Sequence, residues 1–532
     1  MKIAFYGAAR AVTGSCHYLE ANGKKMLIDC GLQQGMDANN HQEFPFAVNE
    51  IDYVFLTHAH IDHSGRLPLL AKQGFEGKVF CTSATEDLCN IMLRDSAHIQ
   101  EFEAEWRNRK GKRLGQEHKE PLYTMADAEA IISRLEPCPY NQILDIDEGI
   151  QIRFKDIGHL LGSSCIEVWL TEGGISKKIV FSGDIGNINM PLIKDPSFVD
   201  DADYVVVEST YGDRLHNRPP DYAVELAKVI QETFDRGGNV VIPSFAVGRT
   251  QELLYFIRKI KEQNIIKNHG VFDVYVDSPL ASEATKLFDE NKWENYDEEA
   301  MELVKSGINP IAFDGLHLSV TADESRAINF INTPKVIISA SGMAEAGRIK
   351  HHLKHNLWRP ESTIVFVGYQ AHGTTGRAIL EGAPVIKLFG EEITVRANIV
   401  KLEGISGHAD QQGLLGWLEH FSKKPERIFV VHGEEEVAEH FSTLIKEKIG
   451  VEATVPFYTQ MHSLYDGSMI REGVVVEKPQ RTMRTEENTP YGKLLQALRS
   501  LDKAVSNNKG GANRDLNQFA QEILDLVAKW DR

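Results

Sequence analysis

Cysteine is scarce in this chain: six in 532 residues, all in the first third (Cys16, Cys30, Cys81, Cys89, Cys138, Cys165). None stands in close paired spacing, which argues against a thiolate metal site and a disulfide framework alike and leaves them as small buried hydrophobes. Long apolar runs are missing too. No stretch approaches the roughly 18 apolar residues of a membrane helix, so no membrane partner is expected. The start, MKIAFYGAAR, is too short and too soon charged for a signal peptide, which points to a cytoplasmic location. Positive charge is not in excess: the formal net charge is −18. That balance sits poorly with binding by phosphate neutralisation, although a net value is silent about local patches. Composition is otherwise globular, 42% hydrophobic and 25% charged, with no tract biased enough for disorder. The length exceeds what one compact core supports, so at least two domains are expected.

Apolar, β-prone runs separated by Gly, Asn and polar turns fill the first 60 residues: KIAFYGAA, SCHYLEAN, KKMLIDCG and DYVFLTHAH. KIVFSGDIG at 178–186 and DYVVVEST at 203–210 extend the sheet-rich part. From about 212 the rhythm changes to strand then helix: NVVIPSFAV before GRTQELLYFIRKIKEQ, VFDVYVDSPL before ASEATKLFDE, PKVIISASG before RIKHHLKHNLW. Repeated βα units imply a mostly parallel sheet flanked by helices. Residues 212–395 therefore read as a second α/β domain, and 396–475 return to the character of 1–211. In 476–532, Leu494, Leu498, Leu501 and Val505, then Leu516, Phe519, Ile523, Val527 and Trp530, fall at helical spacing around SNNKGGANRD. This predicts a C-terminal hairpin of two amphipathic helices, which could pack on the main body or on a second subunit as a homodimer.

The strongest chemical signal is THAHIDHSG at 57–65, which places His58, His60, Asp62 and His63 on a loop directly after a strand. In extended chain, residues i and i+2 point the same way, so His58 and His60 can grip one ion while Asp62 and His63 reach a neighbour. Packing alone does not account for three histidines and an aspartate within six positions. Imidazole with carboxylate favours zinc, with manganese or iron as alternatives. His159 in DIGHLLGSS and Asp184 in FSGDIG end other strands and are further ligand candidates. Asp29 in LIDCG ends a strand near the loop and could hydrogen-bond a ligand histidine from behind.

LIDCG, HAHIDH, the GH of DIGHLLGSS and SGDIG come in an order that resembles the successive motifs of the metallo-β-lactamase superfamily. ESTYGD at 208–213, the α/β segment after it, SGHADQ at 406–411 and VVHGEEE at 430–436 resemble its β-CASP subgroup of nucleases, and the resemblance runs from residue 1 to about 475. It implies an αββα sandwich interrupted by an inserted α/β β-CASP domain, with a C-terminal helical extension beyond both. It also implies two Zn2+ ions per chain, His58, His60 and His159 on one, Asp62, His63 and His432 on the other, and Asp184 bridging. Among the twenty histidines, only the resemblance singles out His432.

Two such ions would lower the pKa of a shared water, so a metal-activated hydroxide is the expected attacking group on a phosphodiester. The resemblance makes His408 the general acid and Glu208 the carboxylate that orients it, with Asp184 as the third catalytic residue; a buried polar pair is the bland reading of His408 and Glu208. Single-stranded RNA is the implied substrate. Ser341, Gly342 and Arg348, with the basic helix after them, could hold a phosphate at a helix start, or simply form a solvated basic face. Arg249, Arg377 and Arg396 are further phosphate candidates, and WRNRKGKR at 106–113 is a second basic patch. SGMAEAGR carries Glu345 and Ala346 in place of a more glycine-rich form, and GYQAHGTTGR has His372 where the subgroup often has arginine, so the departures fall on the RNA-gripping segments. A small-molecule thioester or lactone hydrolase, a DNA-directed nuclease and a non-catalytic RNA-binding scaffold are the competing readings. The long α/β insertion disfavours the first, and the full set of expected ligands the last. Endonuclease and 5′-to-3′ exonuclease action both stay open.

Overall fold

Apolar side chains alternate along the strands, so each sheet face has a defined partner. The structure, a computed structural model, describes residues 1–34, 43–112, 115, 117–216, 221–371, 373–402, 406–476 and 490–530. It falls into two units, Met1–Val476 and Glu477–Arg532. In the first, an eight-stranded sheet contains Lys2–Gly7, Cys16–Ala21, Lys24–Ile28, Tyr53–Phe55 and Lys78–Thr82, and a seven-stranded sheet contains Ser164–Glu172, Ile175–Phe181, Tyr204–Glu208 and Arg427–Val431.

Met26 and Ile28 of the first sheet and Tyr204 and Val206 of the second enter one core between the sheets. Leu27, between Met26 and Ile28, instead joins the outer core that also contains Leu88, Cys89 and Leu93 of the long helix Ser83–Lys112. Val205 and Val207 likewise turn outward onto Trp417 of helix Gln411–Glu419 and Phe441 of helix Glu435–Lys448. The result is the four-layer α/β/β/α sandwich expected. Both sheets take strands from far along the chain: Met461–Ser463 pairs with Lys2–Gly7, and Arg427–Val431 runs parallel to Tyr204–Glu208.

Between these halves lies a six-stranded sheet in the order Leu316–Ser319, Val274–Asp277, Val336–Ser339, Val240–Pro243, Thr363–Phe366, Asn398–Lys401. Every pairing in it is parallel. Helices Tyr222–Asp235 and Arg249–Glu262 cover one face, and Ile349–Asn356 and Thr375–Leu380 the other. Its edge strand, Asn398–Lys401, lies past residue 395.

The second unit contains helices Pro490–Asn507 and Asn513–Trp530, with Leu494, Leu498 and Val527 exposed. Among the described residues, no helix is long and apolar enough to cross a membrane.

The loops at the sheet ends approach one another too closely for side chains at certain positions. A Cβ at Gly31 would lie 1.7 Å from the Asp62 carbonyl oxygen. Gly31→Ala is therefore expected to cost about 2–3 kcal/mol of stability. Gly416→Ala, inside helix Gln411–Glu419 with nothing within 4 Å, should be neutral or stabilising by up to about 1 kcal/mol. Chemical denaturation of both variants checks this contrast.

Candidate metal centre

Strand ends of both sheets converge on one buried point. His58 and His60 follow strand Tyr53–Phe55, and His60 opens the one-turn helix Ile61–Ser64 that carries Asp62 and His63. That turn is tied to the neighbouring loop by Cys30 N–H to the His63 carbonyl at 2.7 Å and Ser15 N–H to the Asp62 carbonyl at 2.8 Å. His159 sits past strand Ile150–Asp156 in a tight loop, where Ser163 Oγ accepts from the amides of His159 and Leu160, both at 3.0 Å. Asp184 follows Ile175–Phe181, and His432 follows Arg427–Val431. Asp29 and His432 hold φ of 61° and 50°, left-handed conformations that cost non-glycine residues energy and that the surroundings must enforce.

Two donor sets face each other across Asp184. Ligand atoms of His58, His60, His159 and Asp184 all lie within 4.8 Å of one another, as do those of Asp62, His63 and His432. Asp184 Oδ2 lies 3.5 Å from Nε2 of both His58 and His159, while Oδ1 lies 3.2 Å from His63 Nε2 and 3.6 Å from His432 Nε2. One carboxylate thus offers one oxygen to each set.

The outward nitrogens decide what the inward ones can do. His63 Nδ1–H donates to Asp29 Oδ2 at 2.7 Å, and His159 Nδ1–H donates to the Gly407 carbonyl at 2.8 Å. Thr57 Oγ1 donates its one hydrogen to the Asp29 carboxylate (2.9 Å to Oδ2), so it accepts from His58 Nδ1–H at 3.0 Å. His58 and His159 therefore turn Nε2 lone pairs inward, and His63 presents an Nε2 that becomes a lone pair once its proton is displaced. The nitrogens facing one another cannot all be satisfied: His60 Nδ1, 3.1 Å from His58 Nε2 and 3.2 Å from His159 Nε2, carries at most one hydrogen for the two, and His63 Nε2 stands 3.2 Å from His432 Nε2. Asp184 Oδ1 is buried and accepts no hydrogen bond among the described residues. A buried cluster of facing acceptors is unfavourable unless cations satisfy it. The residues present fit a metal centre of nitrogen and oxygen donors, the set that suits zinc.

Protonation differs between the sets. Burial, reinforced by His63 beside His58 and by His408 beside His159, holds these two imidazoles below their ordinary value and neutral. Burial also acts against charge on His63 and His432, but Asp184 with Asp29 raises the first and Asp184 with Asp62 the second.

A third cluster, Asp184, Glu208 and His408, has a different character. His408 Nδ1–H donates to Glu208 Oε1 at 3.1 Å, and Glu208 is fixed by the Ile185 amide on Oε1 at 2.6 Å and the Thr210 amide on Oε2 at 3.2 Å. Ala409 N–H reaches the Ile185 carbonyl at 2.7 Å, and Asp410 caps the following helix. Burial opposes the charge on His408, yet the Glu208 and Asp184 carboxylates hold its pKa at about 9. The arrangement is that of a proton donor held beside a metal centre.

The phosphate candidates do not gather here. Arg249 pairs with Glu252 at 2.6 Å and is 10% exposed. Arg348 donates to buried Asp277 at 2.8 Å and to the Val320 carbonyl, and His352 is buried against the same carboxylate. The segment thus turns Arg348 and His352 into the fold, because their partner, Asp277, lies on a neighbouring strand. Ser341 Oγ donates across its own loop to the Ala346 carbonyl, and Gly342 packs on Phe245. His372 lies outside the described residues. Arg377 pairs with Glu381 yet lines a cleft of about 940 Å³, together with Tyr211, Arg214, His216, Tyr369 and Lys401. The Tyr211 ring lies 6.1 Å from that of His408, which joins this cleft to the centre. Arg396 is exposed. The 106–113 patch forms the end of helix Ser83–Lys112, with Trp106 exposed beneath Lys110; Arg113 is outside the described residues. Sequence reasoning missed Thr57, Thr210 and the Gly407 carbonyl. Hydroxyls directly beside ligand motifs were the available signal.

A sandwich of this kind, with histidines and aspartates on its loop ends around a cation site, defines a metal-dependent hydrolase. The matching family models are the metallo-β-lactamase superfamily over residues 9–243, the Beta-Casp domain over 250–379 and the Zn-dependent metallo-hydrolase RNA specificity domain over 392–456. The chain belongs to the Beta-Casp group of the metallo-β-lactamase superfamily. It is 37% identical over 441 residues to Ribonuclease TTHA0252 of Thermus thermophilus, covering 82% of this chain and 94% of that one. It is 31% identical to an RNase J-like protein of Methanocaldococcus jannaschii (85% and 97% covered) and 31% identical to transcription termination factor FttA of the same organism (86% and 70%).

Because His63 and His432 favour the protonated form while His58 and His159 are neutral, loading the second set must displace protons. Metal affinity there should fall more steeply with falling pH. Calorimetric titration with zinc in buffers of different ionisation enthalpy should detect protons released for one ion and few for the other; equal release by both would contradict this asymmetry.

Proposed function

We propose that this chain is a zinc-dependent ribonuclease that hydrolyses phosphodiester bonds of single-stranded RNA. The observation that carries the reading is the Glu208-held imidazole of His408 beside an Asp184 that divides its oxygens between two donor sets. His58, His60 and His159 would hold one ion, Asp62, His63 and His432 a second, and Asp184 both. Such ions supply acidification of a water and neutralisation of phosphate charge. The rest falls to side chains. His408, protonated at neutral pH, is suited to donate a proton to the leaving oxygen. Glu208 keeps its Nδ1 engaged, so Nε2–H is the proton available. Asp29 and Thr57 hold the ligand histidines from outside.

The cleft of about 940 Å³ beside His408, with tyrosine rings and basic side chains, suits a stacked, negatively charged strand better than a small acyl substrate. The names of the relatives point the same way. We read the sandwich as formed by residues 1–211 and the segment after Lys401, with the insert extending to Lys401 rather than 395 because Asn398–Lys401 completes its sheet. The helices after 476 are an extension.

Purified protein should cut 5′-labelled single-stranded RNA in preference to matched DNA, with activity abolished by chelation and by Asp184→Ala. Retained cleavage in that variant would sink the reading. A product ladder distinguishes internal cuts from stepwise trimming. The acid role has its own signature. His408 carries a pKa raised to about 9, so the protonated form persists across neutral pH and is lost as pH rises. Glu208→Gln removes the leading carboxylate that raises it and should move the alkaline limb of kcat/KM to lower pH. An unmoved limb would remove His408 from proton donation.

A further inference from the structure

Thr210 bonds both to a ligand histidine and to the acid pair. It lies two residues past strand Tyr204–Glu208, and His432 lies one past Arg427–Val431; the strands are parallel neighbours with Glu208 opposite Val431. The two loop ends therefore meet. Thr210 Oγ1 donates to the His432 carbonyl at 3.2 Å and lies 3.1 Å from His432 Nδ1. A hydroxyl has one hydrogen, so with that hydrogen on the carbonyl it can only accept from the ring, which puts the proton on Nδ1. Nε2, at 3.5 Å from Asp62 Oδ2 and 3.6 Å from Asp184 Oδ1, is then the nitrogen that offers its lone pair to an ion once its proton is displaced. The opposite tautomer would aim an N–H into the donor set.

The same contacts help hold a strained backbone. His432 has φ of 50°. Its amide donates to the Ala8 carbonyl at 2.8 Å, and its carbonyl accepts from the Ser209 amide as well as from the Thr210 hydroxyl. The Thr210 amide meanwhile donates to Glu208 Oε2, a bond that substitution of the Thr210 side chain leaves in place.

We propose that Thr210 is a positioning residue: its hydroxyl fixes the tautomer of His432 and thereby the affinity of the Asp62, His63 and His432 set for its ion. The proposal rests on the two-ion reading above. Its consequence is selective, because among the described residues this hydroxyl bonds to His432 and not to His58, His60 or His159.

Thr210→Val keeps the shape and removes the hydroxyl, and Thr210→Ser restores it. Zinc competition against a chromophoric chelator should show two ions in the wild type. In Thr210→Val one ion should bind about 10- to 100-fold more weakly and the other unchanged, with the metal-free protein still folded and melting cooperatively. Thr210→Ser should return close to wild type, and the alkaline limb of the pH profile should stay in place in both variants. Two ions held as tightly in Thr210→Val as in wild type would overturn the proposal, as would equal weakening of both ions or a serine variant as weak as the valine. A wild type that holds fewer than two ions would instead overturn the two-ion reading, and this proposal with it.

Discussion

The structure depends on one buried carboxylate. Asp184 sits among histidines whose outward nitrogens are already committed to Asp29, Thr57 and the Gly407 carbonyl, so their inward nitrogens face its oxygens and one another. In a low-dielectric interior this arrangement is costly without positive charge. The strain at Asp29 and His432 belongs to the same economy, since loops are bent into left-handed turns to aim ligands that would otherwise diverge. Bound cations would turn that cost into binding energy and so couple the order of the loop ends to metal.

The sandwich makes this aim possible. Strand ends of both sheets, with side chains alternating between the inter-sheet core and the outer helices, deliver seven candidate ligands to one place. The inserted sheet adds the return segment bearing His408 and a wall of the cleft. Although the chain as a whole is acidic, the cleft beside the centre is lined by tyrosines and by Arg214, Arg377 and Lys401.

How much was legible varied with the distance over which each feature is encoded. The His58 to His63 loop was readable because spacing in an extended chain fixes direction locally. His159 and Asp184 were weak alone and gained meaning only as a set. His432 was reachable only through resemblance, since its place depends on parallel pairing with a strand more than two hundred residues earlier. Thr57 and Thr210 escaped notice because hydroxyls are common and their role emerges only when two loops meet. The basic helix misled for a similar reason: Asp277, which draws in Arg348 and His352, lies 71 and 75 residues away in sequence. The edge strand Asn398–Lys401 went unassigned because it is short and largely exposed, so its apolar pattern is faint.

Diffraction from zinc-loaded crystals at the zinc absorption edge tests the central claim most directly. The account predicts two anomalous peaks, one among His58, His60 and His159 and the other among Asp62, His63 and His432, with Asp184 between them. A single peak, or one held by Asp184, Glu208 and His408, would contradict it.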